Sequence, residues 1–223
     1  MNIFDFNEDS PVIVEEFMGS KIYYIDNFFK NPDSLVNFLD GAPIDLHTPY
    51  ITKGLKNLNG VYFSDMRHSI CLKRHSPIVK YLSKICGQEH KCDIEYDLLQ
   101  TNYAKFKNIP FNDYKNNYWW PHKDSGYTAL IYLNENDKTC GTNLYKPESE
   151  DEALKYQHEH SHPWRSKRYY SVIKTIEPVY NRCVLFDGLH FLHGMNIENE
   201  RYFNEECRKN MVIFFSEKSD LKL

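Results

Sequence analysis

The chain has 223 residues, 41% of them hydrophobic and 15% aromatic, enough to bury a sizeable core in a single domain. Its 17 tyrosines and 14 phenylalanines favour a sheet-rich interior over a leucine-rich bundle. A formal charge of −4 with no long basic run argues against a general nucleic-acid binder, and no stretch approaches the roughly 18 apolar residues of a membrane span or has the h-region of a signal peptide, so a cytoplasmic protein is expected.

Residues 1 to 11 read as a loose arm, after which Val12 to Phe17 and Lys21 to Ile25 form two short predicted strands. Asn31-Pro32-Asp33-Ser34 then carries the marks of a helix start: an N-cap, a proline at the first helical position and an acidic first turn. Leu35, Val36 and Leu39 supply its apolar positions and Gly41 its stop. Ser76-Pro77 repeats the signal, with Ile78, Val79, Leu82, Ile85 and Cys86 on one helical face and Gly87 as the end. Both helices are expected to pack on one side of a sheet.

From about residue 93 the pattern turns to strands: Ile94 to Lys105, Thr128 to Asn134, Thr142 to Lys146, Ser171 to Ile176, Arg182 to Phe186 and Met211 to Ser216. Helices first and strands later is an α+β layout, here one domain over 1–223, with 1–92 as N-terminal support and 93–218 as a two-sheet, jelly-roll core. Pro147 to Arg168 is polar and reads as a long loop. The cysteines at 71, 86, 92, 140, 183 and 207 show no CxxC spacing, so they read as reduced, non-catalytic thiols rather than a zinc site.

Pro121-His122-Lys123-Asp124 carries the chemistry. Residues two apart on an extended segment project to the same side, so one cation can touch both His122 and Asp124. An isolated HxD is more often a surface pair, but a second half follows downstream. Arg182 to Gly188 forms a short strand and turn, then come His193-Gly194 and, directly before the strand from Met211, Arg208. Two imidazoles and a carboxylate suit a ferrous ion that keeps three positions open for substrates. An arginine at 208 can hold a dicarboxylate through a bidentate pair, its ordinary alternative being a charge that flanks a strand.

The stretch from about Tyr103 to Phe215 resembles the double-stranded β-helix of the 2-oxoglutarate and Fe(II)-dependent oxygenases, especially the prolyl-hydroxylase-like branch. The matching elements are Pro121-His122-Lys123-Asp124, Ile131-Tyr132-Leu133-Asn134, Gly141-Thr142, Phe186-Asp187-Gly188, His193-Gly194 and Arg208. Upstream, Tyr24 to Phe29 followed by Asn31-Pro32 is similar to the family's opening. The resemblance implies that His122, Asp124 and His193 hold Fe(II), and that Arg208 pairs with the distal carboxylate of 2-oxoglutarate, whose other end chelates the metal. O2 would take the remaining position, and hydroxylation of a C–H bond would release succinate and CO2.

It also places Tyr103 as a partner of the 2-oxoglutarate carboxylate, with Tyr132 as a rival and a core tyrosine as the plain alternative for each. His190 competes with His193; His193 is preferred because His-Gly is the family's form and the small Gly194 leaves room beside the metal. Arg201, in a polar loop, is expected in solvent. Of Trp119 and Trp120, one is assigned to the core and the other to the pocket rim. His158-Glu-His160-Ser-His162 reads as a solvated tract in the long loop.

Two other classes stay open: a non-catalytic jelly-roll binding module, which Arg208 in solvent or His193 turned from His122 would favour, and a cupin-type metalloenzyme without an organic cosubstrate. The substrate is expected to be a small molecule or a peptide: a protein side chain, an amino acid or another metabolite. The acidic charge disfavours a nucleobase. Oligomeric state is left open by the sequence.

Overall fold

The computed structural model describes residues 3–41, 65–70, 77–87, 98–104, 115–134, 137–151, 164–196, 198, 201 and 208–215. Strand β1 (Val12–Phe17) and β2 (Ser20–Ile25) form a hairpin closed by Met18 and Gly19, both at positive φ (50° and 80°). A two-residue turn with both residues left-handed matches the twist of the flanking strands, and glycine takes its second position without strain. Helix α1 follows over Pro32–Gly41 and α2 over Pro77–Ile85, with β3 (Asp65–Ile70) between them. The remaining strands are β4 (Leu98–Ala104), β5 (Asn117–His122), β6 (Tyr127–Tyr132), β7 (Thr142–Pro147), β8 (Trp164–Ser166), β9 (Tyr170–Ile176), β10 (Cys183–Asp187), β11 (Leu192–Met195) and β12 (Arg208–Phe215).

These strands build two antiparallel sheets, one of seven strands in the order β1-β2-β10-β6-β12-β4-β3 and one of five in the order β8-β5-β11-β7-β9. The central strands β6 and β10, and β12 from Met211 onward, are apolar at nearly every position because both of their faces are covered. On one face Ala129, Ile131, Cys183, Leu185, Met211 and Ile213 share a buried cluster with Leu35 of α1 and Ile78, Val79 and Leu82 of α2. On the other, Leu130, Tyr132, Val184, Phe186 and Val212 meet Leu144 and Ile176 of the five-stranded sheet. Two facing sheets with this interleaved order make a jelly-roll core.

The N-terminal strands are part of the larger sheet, since β2 pairs with β10 from Cys183↔Ile25 to Phe186↔Ile22. Side chains reinforce the join. Asn181 donates to and accepts from the Phe29 backbone, and Arg182 makes a forked pair with Asp26 at 2.5 and 3.0 Å. Glu15 of β1 reaches Lys174 of β9 at 2.8 Å, linking the two sheets at one edge.

Several elements differ from the sequence reading. β3, β8 and β11 were not anticipated, and of β5 only the extended end at Pro121 and His122 was. β8 lies inside the expected 147–168 loop: Trp164 pairs in register with Trp119 of β5, and the two indoles stack edge to face at 5.0 Å. β6 stops at Tyr132, where the Asn134 side chain turns back to accept from the Lys209 N–H at 2.5 Å. Cys86, Cys140 and Cys183 are reduced, outside any disulfide, and burial pushes the Cys183 thiol well up; the cysteines at 71, 92 and 207 lie outside the described residues. No described helix is long and apolar enough to cross a membrane.

Candidate metal centre

His122 closes β5 and His193 lies in β11, and the two are register partners across that pair of strands. Between them and the next pair, Trp119↔Met195, β5 has one residue more than β11. This bulge puts Trp120 at φ 40°, a conformation unfavourable for a bulky side chain. Its consequence is local and useful. The Trp120 carbonyl turns back onto His122 Nδ1 at 2.8 Å, while His193 Nδ1 meets the Phe191 carbonyl at 3.0 Å. A carbonyl oxygen only accepts, so each Nδ1 carries a proton, and Nε2 is the atom through which each ring would bind a cation.

Both Nε2 atoms face Asp124, at 3.5 Å from His122 to Oδ1 and 3.1 Å from His193 to Oδ2. The imidazole centroids are 4.6 Å apart, and the three donor atoms lie within 4.8 Å of one another. This is the only such group of three among the described residues. Burial of Asp124 works against ionisation, yet the His193 and His122 imidazoles overcome it and hold the carboxyl far below the usual carboxylate range. Burial likewise disfavours a charged His193, but Asp124 outweighs it and raises the imidazole. Such mutual stabilisation means the site favours positive charge between these groups, which a divalent cation would supply.

The turn after β10 fixes the backbone at Asp124. The Asp124 N–H donates to the Gly188 carbonyl at 3.0 Å, and the Gly188 N–H donates to Gly126 at 2.8 Å. A Cβ at Gly188 would sit 2.7 Å from the Asp124 Cβ, the Gly126 oxygen and the Thr128 Oγ1, so only glycine fits. Thr128, 1% exposed, donates its hydroxyl to Asp124 Oδ2 at 2.5 Å. Thr128 was not among the residues expected at the site from sequence; its signal was a hydroxyl residue at the start of the strand that directly follows HxD.

His193, not His190, is the second imidazole. His190 is exposed and its Nε2 lies 2.9 Å from the Met18 carbonyl. The reason given for Gly194 needs correction: a Cβ there would meet the Trp119 carbonyl at 2.5 Å and that of Trp120 at 3.1 Å, so the glycine permits close approach of β11 to the bulge rather than room at the metal. Trp119 is buried, and Trp120 is half-buried with its ring 5.2 Å from that of His122.

Arg208 is 2% exposed and turned inward, its Nε donating to the Cys140 carbonyl at 2.9 Å and Nη2 to that of Gly141 at 3.1 Å. Its guanidinium lies 6.0 Å from the centre of the Tyr132 ring. Tyr132 is buried too, bonds Thr142 Oγ1 at 2.7 Å across the two sheets, and has its hydroxyl pushed up to about 12 by burial. With Arg208 buried and His193 facing His122, neither condition that would favour a binding module is met. Tyr103 lies in β4 with Lys209 as its register partner in β12. Arg201 is only partly exposed and ion-pairs with Asp137, instead of standing free in solvent. His158, His160 and His162 lie outside the described residues.

No protein-family model and no curated protein matches the chain. Among solved structures it is similar to a prolyl 4-hydroxylase from Phytophthora capsici, at 13% identity and a TM-score of 0.48 over 89% of this chain. The chain spans 59% of the length of that protein. It is also similar to the epimerase SnoN in complex with Fe3+, alpha ketoglutarate and nogalamycin RO, at 10% identity and a TM-score of 0.46 over 88% of this chain and 78% of that one. An N-substituted L-amino acid dioxygenase from Burkholderia ambifaria follows at 12% identity and a TM-score of 0.38, over 87% of this chain and 81% of that one.

Proposed function

We propose that this protein is an Fe(II)- and 2-oxoglutarate-dependent dioxygenase that hydroxylates a C–H bond of a small-molecule or peptide substrate. The observation that supports it most is the converging set His122 Nε2, His193 Nε2 and the Asp124 carboxylate, with both Nδ1 atoms committed to backbone carbonyls. That donor set fits ferrous iron, and with three protein ligands the ion would keep positions for a bidentate oxo-acid and for oxygen. Bound iron would couple oxidative decarboxylation of 2-oxoglutarate to succinate and CO2 with oxidation of the substrate by O2.

The chain's own contributions are orientation, charge and dryness. The rotation of His122 and His193 is fixed through their carbonyl partners, which turns Nε2 of each ring towards the Asp124 carboxylate. Arg208, held by the carbonyls at 140 and 141, is the cation assigned to the distal carboxylate of 2-oxoglutarate, with Tyr132 and Tyr103 as further candidates for that end. Phe186, edge-on to the His193 ring at 5.0 Å and part of the apolar cluster that holds Leu144 and Val212, gives the site an apolar side that would help keep water from the reacting centre.

The test is succinate formation by the purified protein with Fe(II), 2-oxoglutarate and O2, compared with an Asp124→Ala variant. Turnover without added substrate is expected from the wild type and none from the variant. Failure of the wild type to bind either Mn(II) or 2-oxoglutarate, together with no succinate, would sink the reading.

A further inference from the structure

Asp124 follows the end of β5 and is fixed by only a few contacts. Its N–H is held by Gly188, and the two Nε2 atoms approach different oxygens of its carboxylate. A carboxylate has two oxygens and can give a metal one or both. The choice matters, because a second oxygen on the metal fills a position that a chelating cosubstrate needs.

Thr128 is placed to bear on that choice. It is the second residue of β6, paired with Phe186 on one side and Phe214 on the other, so its backbone is fixed in the middle of the large sheet. As a β-branched residue it has a stiff χ1. Its hydroxyl lies 2.5 Å from Asp124 Oδ2, and both groups are walled by Gly188, where even a methyl would collide with each at 2.7 Å.

Resting on the function proposed above, we propose that Thr128 is a positioning residue whose hydroxyl pins the rotation of the Asp124 carboxylate, so that Asp124 offers the metal one oxygen and leaves room for 2-oxoglutarate. Without the hydroxyl the carboxylate turns and can chelate through both oxygens. Metal binding then persists while cosubstrate binding falls. A purely structural role would weaken both together.

The experiment is calorimetric titration of the full chain, first with Mn(II) and then of the Mn(II)-loaded protein with 2-oxoglutarate, under anaerobic conditions. Thr128→Val is nearly isosteric and should leave Mn(II) affinity little changed while lowering 2-oxoglutarate affinity roughly tenfold or more, the usual scale for a group that orients a metal ligand. Thr128→Ser keeps the hydroxyl and should restore wild-type binding. Should the valine variant fail to fold, Thr128→Ala makes the same comparison. Unchanged 2-oxoglutarate affinity in Val or Ala, parallel loss of Mn(II), or no rescue by Ser overturns the role alone. A wild type that binds Mn(II) but no 2-oxoglutarate overturns the parent function and this role with it.

Discussion

His122 and His193 are register partners on neighbouring strands of the smaller sheet, each with Nδ1 on the carbonyl two residues before it in its own chain. The repeated geometry, Trp120 to His122 and Phe191 to His193, gives two rings the same tautomer by the same local device. His190 has no part in it, since its Nε2 lies against Met18. His193→Ala should therefore abolish tight Mn(II) binding, whereas His190→Ala should leave it at the wild-type level. Equal losses in the two variants, read by Mn(II) titration, would contradict the assignment.

Gly188 is expected to be intolerant of any side chain. Gly188→Ala forces a methyl within 2.7 Å of the Asp124 Cβ, the Gly126 carbonyl and the Thr128 hydroxyl, two of which are backbone or backbone-proximal and cannot move away cheaply. Overpacking of this kind costs about 1–3 kcal/mol. Urea denaturation should show that loss, and Mn(II) affinity should fall with it because the clash bears on Asp124.

The parts of this molecule that were legible from sequence share a cause. Pro32 and Pro77, and the apolar runs of β6, β10 and β12, carry strong local signals, and HxD with the later His193 is a short pattern whose order survives any loop length. β5 and β11 were hidden for a different reason. In β5 a bulge breaks the alternation at Trp120, and β11 is a strand of four residues with a glycine inside it, so neither shows a period of two. Thr128 was missed because its meaning depends on the turn of Gly188, remote in the chain, closing over it.

Arg208 should discriminate between a charge and a fork. Arg208→Lys keeps the cation but loses the planar geometry that bonds the carbonyls at 140 and 141 while offering donors to a carboxylate. The expected cost to 2-oxoglutarate binding is about 1.5–3 kcal/mol, the scale of a hydrogen bond to a charged group. Calorimetry on the Mn(II)-loaded variant measures it, and Mn(II) affinity itself should be unchanged.

Trp120 joins a backbone role to a ring role, and substitution can part them. At φ 40° a glycine is at ease where a tryptophan is not, and the carbonyl that holds His122 belongs to the main chain. Trp120→Gly should thus retain Mn(II) binding. Removal of the ring 5.2 Å from His122 should instead change the turnover of substrate once one is found, as a drop in kcat/KM with metal affinity intact. Loss of Mn(II) binding in this variant would show that the ring itself supports the ligand.

Acid stability offers a check on the join between the N-terminal strands and the core. Arg182 hydrogen-bonds Asp26 and so lowers its pKa below the ordinary value of 3.8, despite an opposing effect of burial. A carboxylate depressed on folding contributes stability that is present above its unfolded pKa and is lost as pH falls through the folded one. The Asp26–Arg182 contribution should accordingly be complete at neutral pH and fade from about pH 4 downward. Because Asp26 is substantially exposed, solvent screening keeps it at or below about 1 kcal/mol. Denaturant midpoints of wild type and Asp26→Asn should differ at pH 7 and converge on acidification, while a gap that widens in acid would mean that Asp26 is not held ionised by Arg182.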